Sequence, residues 1–98
     1  MNKPRVYIKE NSFFAKIAAK KLGAESVAMV LGKTIHLHGC TKAYFLADIR
    51  WLKHELCHIK QVEENGTILF LIKYLWESLK KGYYNNKYEV EAREAEDC

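Results

Sequence analysis

The chain has only three cysteines, Cys40, Cys57 and Cys98, an odd number at wide spacing. That excludes a disulfide framework and a C-x-x-C zinc knuckle. Free thiols point to a reducing compartment, so a cytoplasmic location is expected. Long apolar runs are also missing. The most apolar run, residues 68–72, is cut by Lys73 and is far too short to span a bilayer, so no membrane partner is expected. Residues 1–5 are followed by no long apolar region, so no secretory leader is expected. Basic runs stop at Lys20-Lys21 and Lys80-Lys81, and no aromatic-glycine RNA motif is present. The net charge of +4 therefore reads as solvated helix faces, and no nucleic-acid partner is expected. The acidic end, with Glu89, Glu91, Glu94, Glu96 and Asp97, also argues against a polyanion. There is no internal repeat and no low-complexity segment.

What is present suits one domain covering residues 1–98, with ordinary globular values of 49% apolar and 29% charged residues. The patterning predicts an α+β fold. Val6-Tyr7-Ile8 reads as a short strand. Asn11 or Ser12 caps a helix over 13–22, with Phe14, Ile17, Ala18 and Leu22 as its packing stripe and Gly23 at its end. Two β-rich runs, 26–31 and 34–38, flank Gly32-Lys33 as a hairpin. The period of two puts Thr34, His36 and His38 on one face and Ile35 and Leu37 on the other. His36 and His38 could hold a second metal or line a cleft, but a solvated strand face is the favoured reading. A turn over 42–47 follows Thr41. Helices are then predicted over 49–65, 67–81 and 87–96. The second has the stripe Ile68, Leu71, Ile72, Leu75 and Leu79, widened by Leu69, Phe70 and Trp76, and is expected to be the most buried. Gly82 closes it, and Asn85 or Asn86 caps the last helix.

The chain is organised around His54-Glu55-Leu56-Cys57-His58, an H-E-x-x-H pattern. On a helix, His54 and His58 are one turn apart and their imidazoles share a face that can hold one zinc ion. Glu55 lies about 100° round the helix, where its carboxylate is free to act on a metal-bound water. Trp51 and Gln61 share the histidine face. Ile49, Leu52, Leu56 and Ile59 make an opposite, core-facing stripe. Cys57 lies off both and reads as a structural thiol.

A catalytic zinc usually takes three protein ligands. No histidine follows His58, so the remaining donors are glutamates downstream (Glu63, Glu64, Glu77, Glu89, Glu91, Glu94, Glu96) or His36 and His38 upstream. Periodicity does not choose among them.

His54-Glu55-Leu56-x-His58-x-x-Gln61, followed by Glu89-Val90-Glu91-Ala92-Arg93, resembles the gluzincin branch of the zinc metallopeptidases. In size and order the chain resembles the minigluzincins, and it is similar to small bacterial H-E-L-x-H domains without an assigned function. The resemblance covers roughly residues 27–96. It implies a zincin-like order of hairpin, metal helix, linking helix and glutamate helix. It also implies Glu89 as third ligand, matching the first Glu of a Glu-x-x-Ala-(Asp/Asn) stretch, with Glu91 as the fallback. Arg93 stands where Asp or Asn is usual, which leaves a partner for a histidine ligand unidentified. The strand 34–38 would be an edge offered to an extended peptide. The implied activity is peptide hydrolysis with Glu55 as general base, taking a proton from a zinc-activated water and passing it to the leaving amine. Tyr83, Tyr84, Tyr88 and His36 are candidates for an additional donor to the oxyanion. The alternative is a non-catalytic metal-binding module that uses the same shape to bind a peptide or protein.

Overall fold

The structure, a computed structural model, describes residues 6–98; the segment read above for a leader lies outside the described residues. Among the described residues the fold is α+β, with five helices and a three-stranded mixed sheet. The chain packs as two compact units, Met1–Asp48 and Ile49–Cys98.

In the first unit β1 (Tyr7–Lys9) leads to α1 (Phe13–Leu22), then to β2 (Val27–Leu31), β3 (Thr34–His38) and the short α2 (Lys42–Ala47). Ser12 starts α1: its Oγ accepts the Ala15 N–H, and its own backbone N–H donates to the Leu37 carbonyl at 2.9 Å, tying the helix start to the sheet. Gly23 ends the helix at φ 67°, its N–H turned back to the Ala19 and Lys20 carbonyls. The expected hairpin forms, with Leu31 opposite Thr34 and Val27 opposite His38. Just past it Gly39 takes φ 79°, and a Cβ there would overlap the Glu25 carbonyl oxygen, so only glycine fits.

Three expectations for this unit need correcting. The packing face of α1 is Ala15 and Ala19, while Phe14, Ile17 and Leu22 are exposed. Two alanines one turn apart form the buried face of a helix that packs on β2 and β3. Second, β3 is the central strand. It pairs with β1 in parallel and β2 antiparallel, in the order β1-β3-β2, so it offers no free edge to a peptide. Third, the His36 face is not solvated. His36 is buried like Ile35 and Leu37, its Nδ1 lies 2.7 Å from Ser12 Oγ, and Phe14 meets its ring edge-on. Burial, with some help from Lys9, holds its pKa below the usual histidine value.

The second unit is three helices: α3 (Ile49–Asn65), α4 (Thr67–Asn85) and α5 (Lys87–Ala95). Gly66, at φ 83°, makes the corner between α3 and α4. Gly82 breaks helical geometry inside α4 (φ 79°, ψ 165°), and the chain resumes one more turn to Asn85. Asn86 is the cap. Its Oδ1 accepts the Tyr88 N–H at 2.9 Å, and its Nδ2 donates to the Tyr74 carbonyl and Ser78 Oγ, with nothing of it exposed.

Here the sequence stripes mislead. On α4 only Phe70 and Glu77 are buried, and Ile68, Leu69, Leu71, Ile72, Leu75, Trp76 and Leu79 are all exposed. On α3 the buried residues are Glu55, Cys57, His58, Ile59, Gln61 and Val62, whereas Ile49 and Leu56 are exposed. The helices pack through their His, Glu, Gln and Tyr faces. Burying charged and amide groups favours faces that can meet partners, and α5 supplies several of them: Glu89 to His54 and His58, and Glu91 and the Tyr88 carbonyl to Gln61. The most apolar face of α4 is thereby left outward.

Candidate metal centre

α3 presents His54 and His58 one turn apart, ring centroids 5.1 Å from each other. The first turn of α5 presents Glu89, placed there by the Asn86 cap. One carboxylate oxygen, Glu89 Oε1, lies 3.0 Å from His54 Nε2 and 3.3 Å from His58 Nε2. The three donor atoms all fall within 4.8 Å of one another, the one such group found among the described residues.

Each group is held from behind. His54 Nδ1 lies 2.7 Å from Glu96 Oε2, and His58 Nδ1 lies 2.8 Å from Gln61 Oε1. Gln61 is itself fixed, because its Nε2 donates to the Tyr88 carbonyl at 3.1 Å and to Glu91 Oε1 at 2.8 Å. Its carbonyl oxygen can therefore only accept, which puts a proton on His58 Nδ1. The carboxylate of Glu96 sets the same tautomer on His54. Both Nε2 atoms then point their lone pairs toward Glu89 unless a second proton is bound. The other oxygen of Glu89 accepts from the Tyr74 hydroxyl, so Oε1 is the one left for a ligand role.

Three acceptors facing one point need a positive charge between them. Protons can supply it, and the pKa shifts follow from that competition between burial and pairing. Burial opposes charge on His58 and His54, but the hydrogen bonds and charge of Glu89, joined by Glu96 at His54 and by Glu55 and Gln61 at His58, together outweigh it and lift both above the usual histidine value. Burial likewise disfavours charge on Glu89, yet the two histidines and Tyr74 hold it well below the usual carboxylate range. A divalent cation fits the same donor set without those protons: two neutral imidazoles with oriented Nδ1–H groups and one carboxylate are a common catalytic ligand set.

Glu55 is 4% exposed, and its Oε1 is buried with no hydrogen-bond partner among the described residues. Burial pushes its pKa up to about 8, against the pull of His58 and with further push from Glu89 and Glu96. A carboxyl group so placed is poised to hold or release a proton near neutral pH.

The remaining candidates have other partners. Glu91 turns away from the donor group to Gln61 and to the Cys57 thiol at 3.7 Å. Glu77 accepts the Lys87 N–H at 3.2 Å and pairs with Lys80 and Lys81. Arg93 lies over the Tyr84 ring at 3.9 Å and donates to its carbonyl. Tyr88 stacks on Tyr74 and meets Phe70 edge-on. Tyr83 feels the centre most directly: burial, then the charges of Glu89 and Glu55, push its hydroxyl up to about 12.

Two supporting roles escaped the sequence: Glu96, weighed there only as a possible ligand, is the partner of His54, and Tyr74 is the partner of Glu89. Glu96, seven residues after Glu89, returns to the same side of α5 after two turns, and that spacing was a usable signal. Tyr74 lay inside an apolar run, and nothing in its spacing marked it.

No protein-family model, no curated protein and no solved structure matches this chain.

Proposed function

We propose that the protein is a zinc-dependent peptidase in which His54, His58 and Glu89 hold the metal and Glu55 is the general base. The observation that carries this reading is the convergence of those three donors beside a buried, unpartnered Glu55 carboxylate. A zinc ion bound there would supply Lewis acidity toward a substrate carbonyl and toward water. Glu55 would take a proton from the attacking water and return it to the departing amine; its raised pKa suits both halves of that exchange. Glu96 and Gln61 keep the imidazoles in the tautomer that leaves Nε2 free. Tyr74 fixes Glu89. Tyr83, whose hydroxyl is pushed up by burial and by the charges of Glu89 and Glu55, is retained as a candidate donor for a developing oxyanion.

The test is hydrolysis of a mixed peptide library by zinc-loaded protein, beside Glu55→Gln. Turnover in the wild type with a loss of at least roughly a hundredfold in Glu55→Gln, at unchanged zinc content, is expected. Equal turnover in both would show that Glu55 is not the base.

A second reading, a metal-binding module that cuts nothing, is favoured by one observation. β3 is paired on both sides, so the edge that would have taken an extended substrate is filled. Zinc-loaded protein that leaves the whole library intact supports this reading.

A further inference from the structure

We propose that α4 is an interfacial helix, which lays its apolar sector on the surface of a bilayer containing anionic lipid. Ile68, Leu71, Ile72, Leu75, Trp76 and Leu79 are all exposed, from 43% for Leu71 to 81% for Leu79. At 100° per residue they cover one arc of about 140° that holds no charged residue. Single exposed leucines are ordinary on a protein surface, but a contiguous sector of this kind marks an interaction face.

Charge selects the occupant. Lys73 and Lys80 follow one border of the arc, and Lys81 stands at the same end of the helix as Lys80. The only acid on α4 is Glu77, which is buried and already paired with Lys80 and Lys81. The exposed charge of this helix is therefore all positive. Pairing α4 with α4 of a second copy would place that lysine border on both sides of the contact, with no exposed acid of α4 to answer it. An anionic surface answers it directly. Trp76 lies within the sector, and Tyr84 is exposed just past the Gly82 break, where aromatic rings with polar tips suit the headgroup region. No helix among the described residues is long and apolar enough to cross a membrane, so the geometry on offer is lying on the bilayer. No membrane partner is expected from the sequence, because no apolar run is long enough to span; a helix lying on the surface reverses that expectation.

The proposal stands apart from the metal centre, and its test reads vesicle binding and metal content separately. The full chain is sedimented with vesicles of phosphatidylcholine alone and of phosphatidylcholine with equimolar phosphatidylglycerol, at low and high salt. Binding to the anionic vesicles that weakens with salt is expected. Ile68→Glu with Leu79→Glu should reduce it by at least roughly tenfold, while far-ultraviolet circular dichroism and metal content stay as in the wild type. Lys73→Gln with Lys80→Gln should weaken it several-fold, and Lys20→Gln with Lys21→Gln, which removes as much charge from α1, should not. No vesicle binding overturns the proposal. So does an equal loss in the α1 pair, which would leave net charge as the cause. A dimer by light scattering that Ile68→Glu with Leu79→Glu dissolves, with vesicles unbound, would assign the face to a second copy.

Discussion

At the scale of single residues, the donor group depends on what stands behind it. Gln61 and Glu96 each occupy a histidine Nδ1, and such partners typically contribute ten- to a hundredfold to metal affinity. Gln61→Ala and Glu96→Ala should each weaken zinc binding by roughly that factor in a chelator competition titration. Unchanged affinity in both would mean the imidazoles are oriented by packing alone. Cys57 offers a second check. It is buried, and burial together with the Glu91 carboxylate pushes its thiol up to about 11, so almost none is thiolate at pH 7. Cys98 is exposed. Alkylation of native protein followed by mass spectrometry should label Cys98 at least roughly tenfold faster than Cys57. Comparable rates would show that the α3 surface around Cys57 opens readily.

At the scale of elements, local signals were legible and burial was not. Ser12, Gly23, Gly32-Lys33, Gly66 and Asn86 act where they stand in the sequence, because caps and turns are decided by chemistry within a few residues. The order of hairpin, H-E-x-x-H helix, linking helix and glutamate helix follows from them. Which face of α3 and α4 turns inward depends on distant partners instead. Tyr74 serves Glu89, Asn86 serves Tyr74 and Ser78, and Gln61 serves His58 and Tyr88, and these pairings outweigh the leucine stripe that periodicity selects. The same cause hid Tyr74 and made β3 an inner strand, since β1 pairs with it across the whole of α1. Asn86 concentrates this element-level dependence, as one side chain joins α4 to α5. Asn86→Ala removes a cap and both hydrogen bonds from its Nδ2 to α4, to the Tyr74 carbonyl and Ser78 Oγ. It should cost about 2 kcal/mol in urea unfolding of metal-free protein. A cost below about 0.5 kcal/mol would show that α5 is positioned by other contacts.

At the scale of the whole molecule, protons and a metal ion would compete for one site. In metal-free protein the folded pKa values of His54, His58 and Glu55 are raised, so each contributes stability that is complete below its unfolded value, 6.5 for the histidines and 4.5 for Glu55. Those contributions are lost as pH rises through the folded values, about 8 for Glu55. Glu89 is lowered, so its contribution is present above 4.5 and is lost only in acid. The metal-free protein should therefore melt at a lower temperature at pH 9 than at pH 6, and Glu55→Gln should flatten part of that slope. A flat profile over this range would contradict the buried, proton-sharing arrangement. Bound metal replaces the protons and stabilises by linkage, about 2.7 kcal/mol when free metal is a hundred times its dissociation constant.

The most direct measurement is metal content by elemental analysis of tag-free wild-type protein, run beside His58→Ala and Glu89→Ala. About one zinc per chain in the wild type, lost in both variants, is the predicted result. No metal in the wild type even after reconstitution, or full retention in Glu89→Ala, would contradict a centre built from His54, His58 and Glu89.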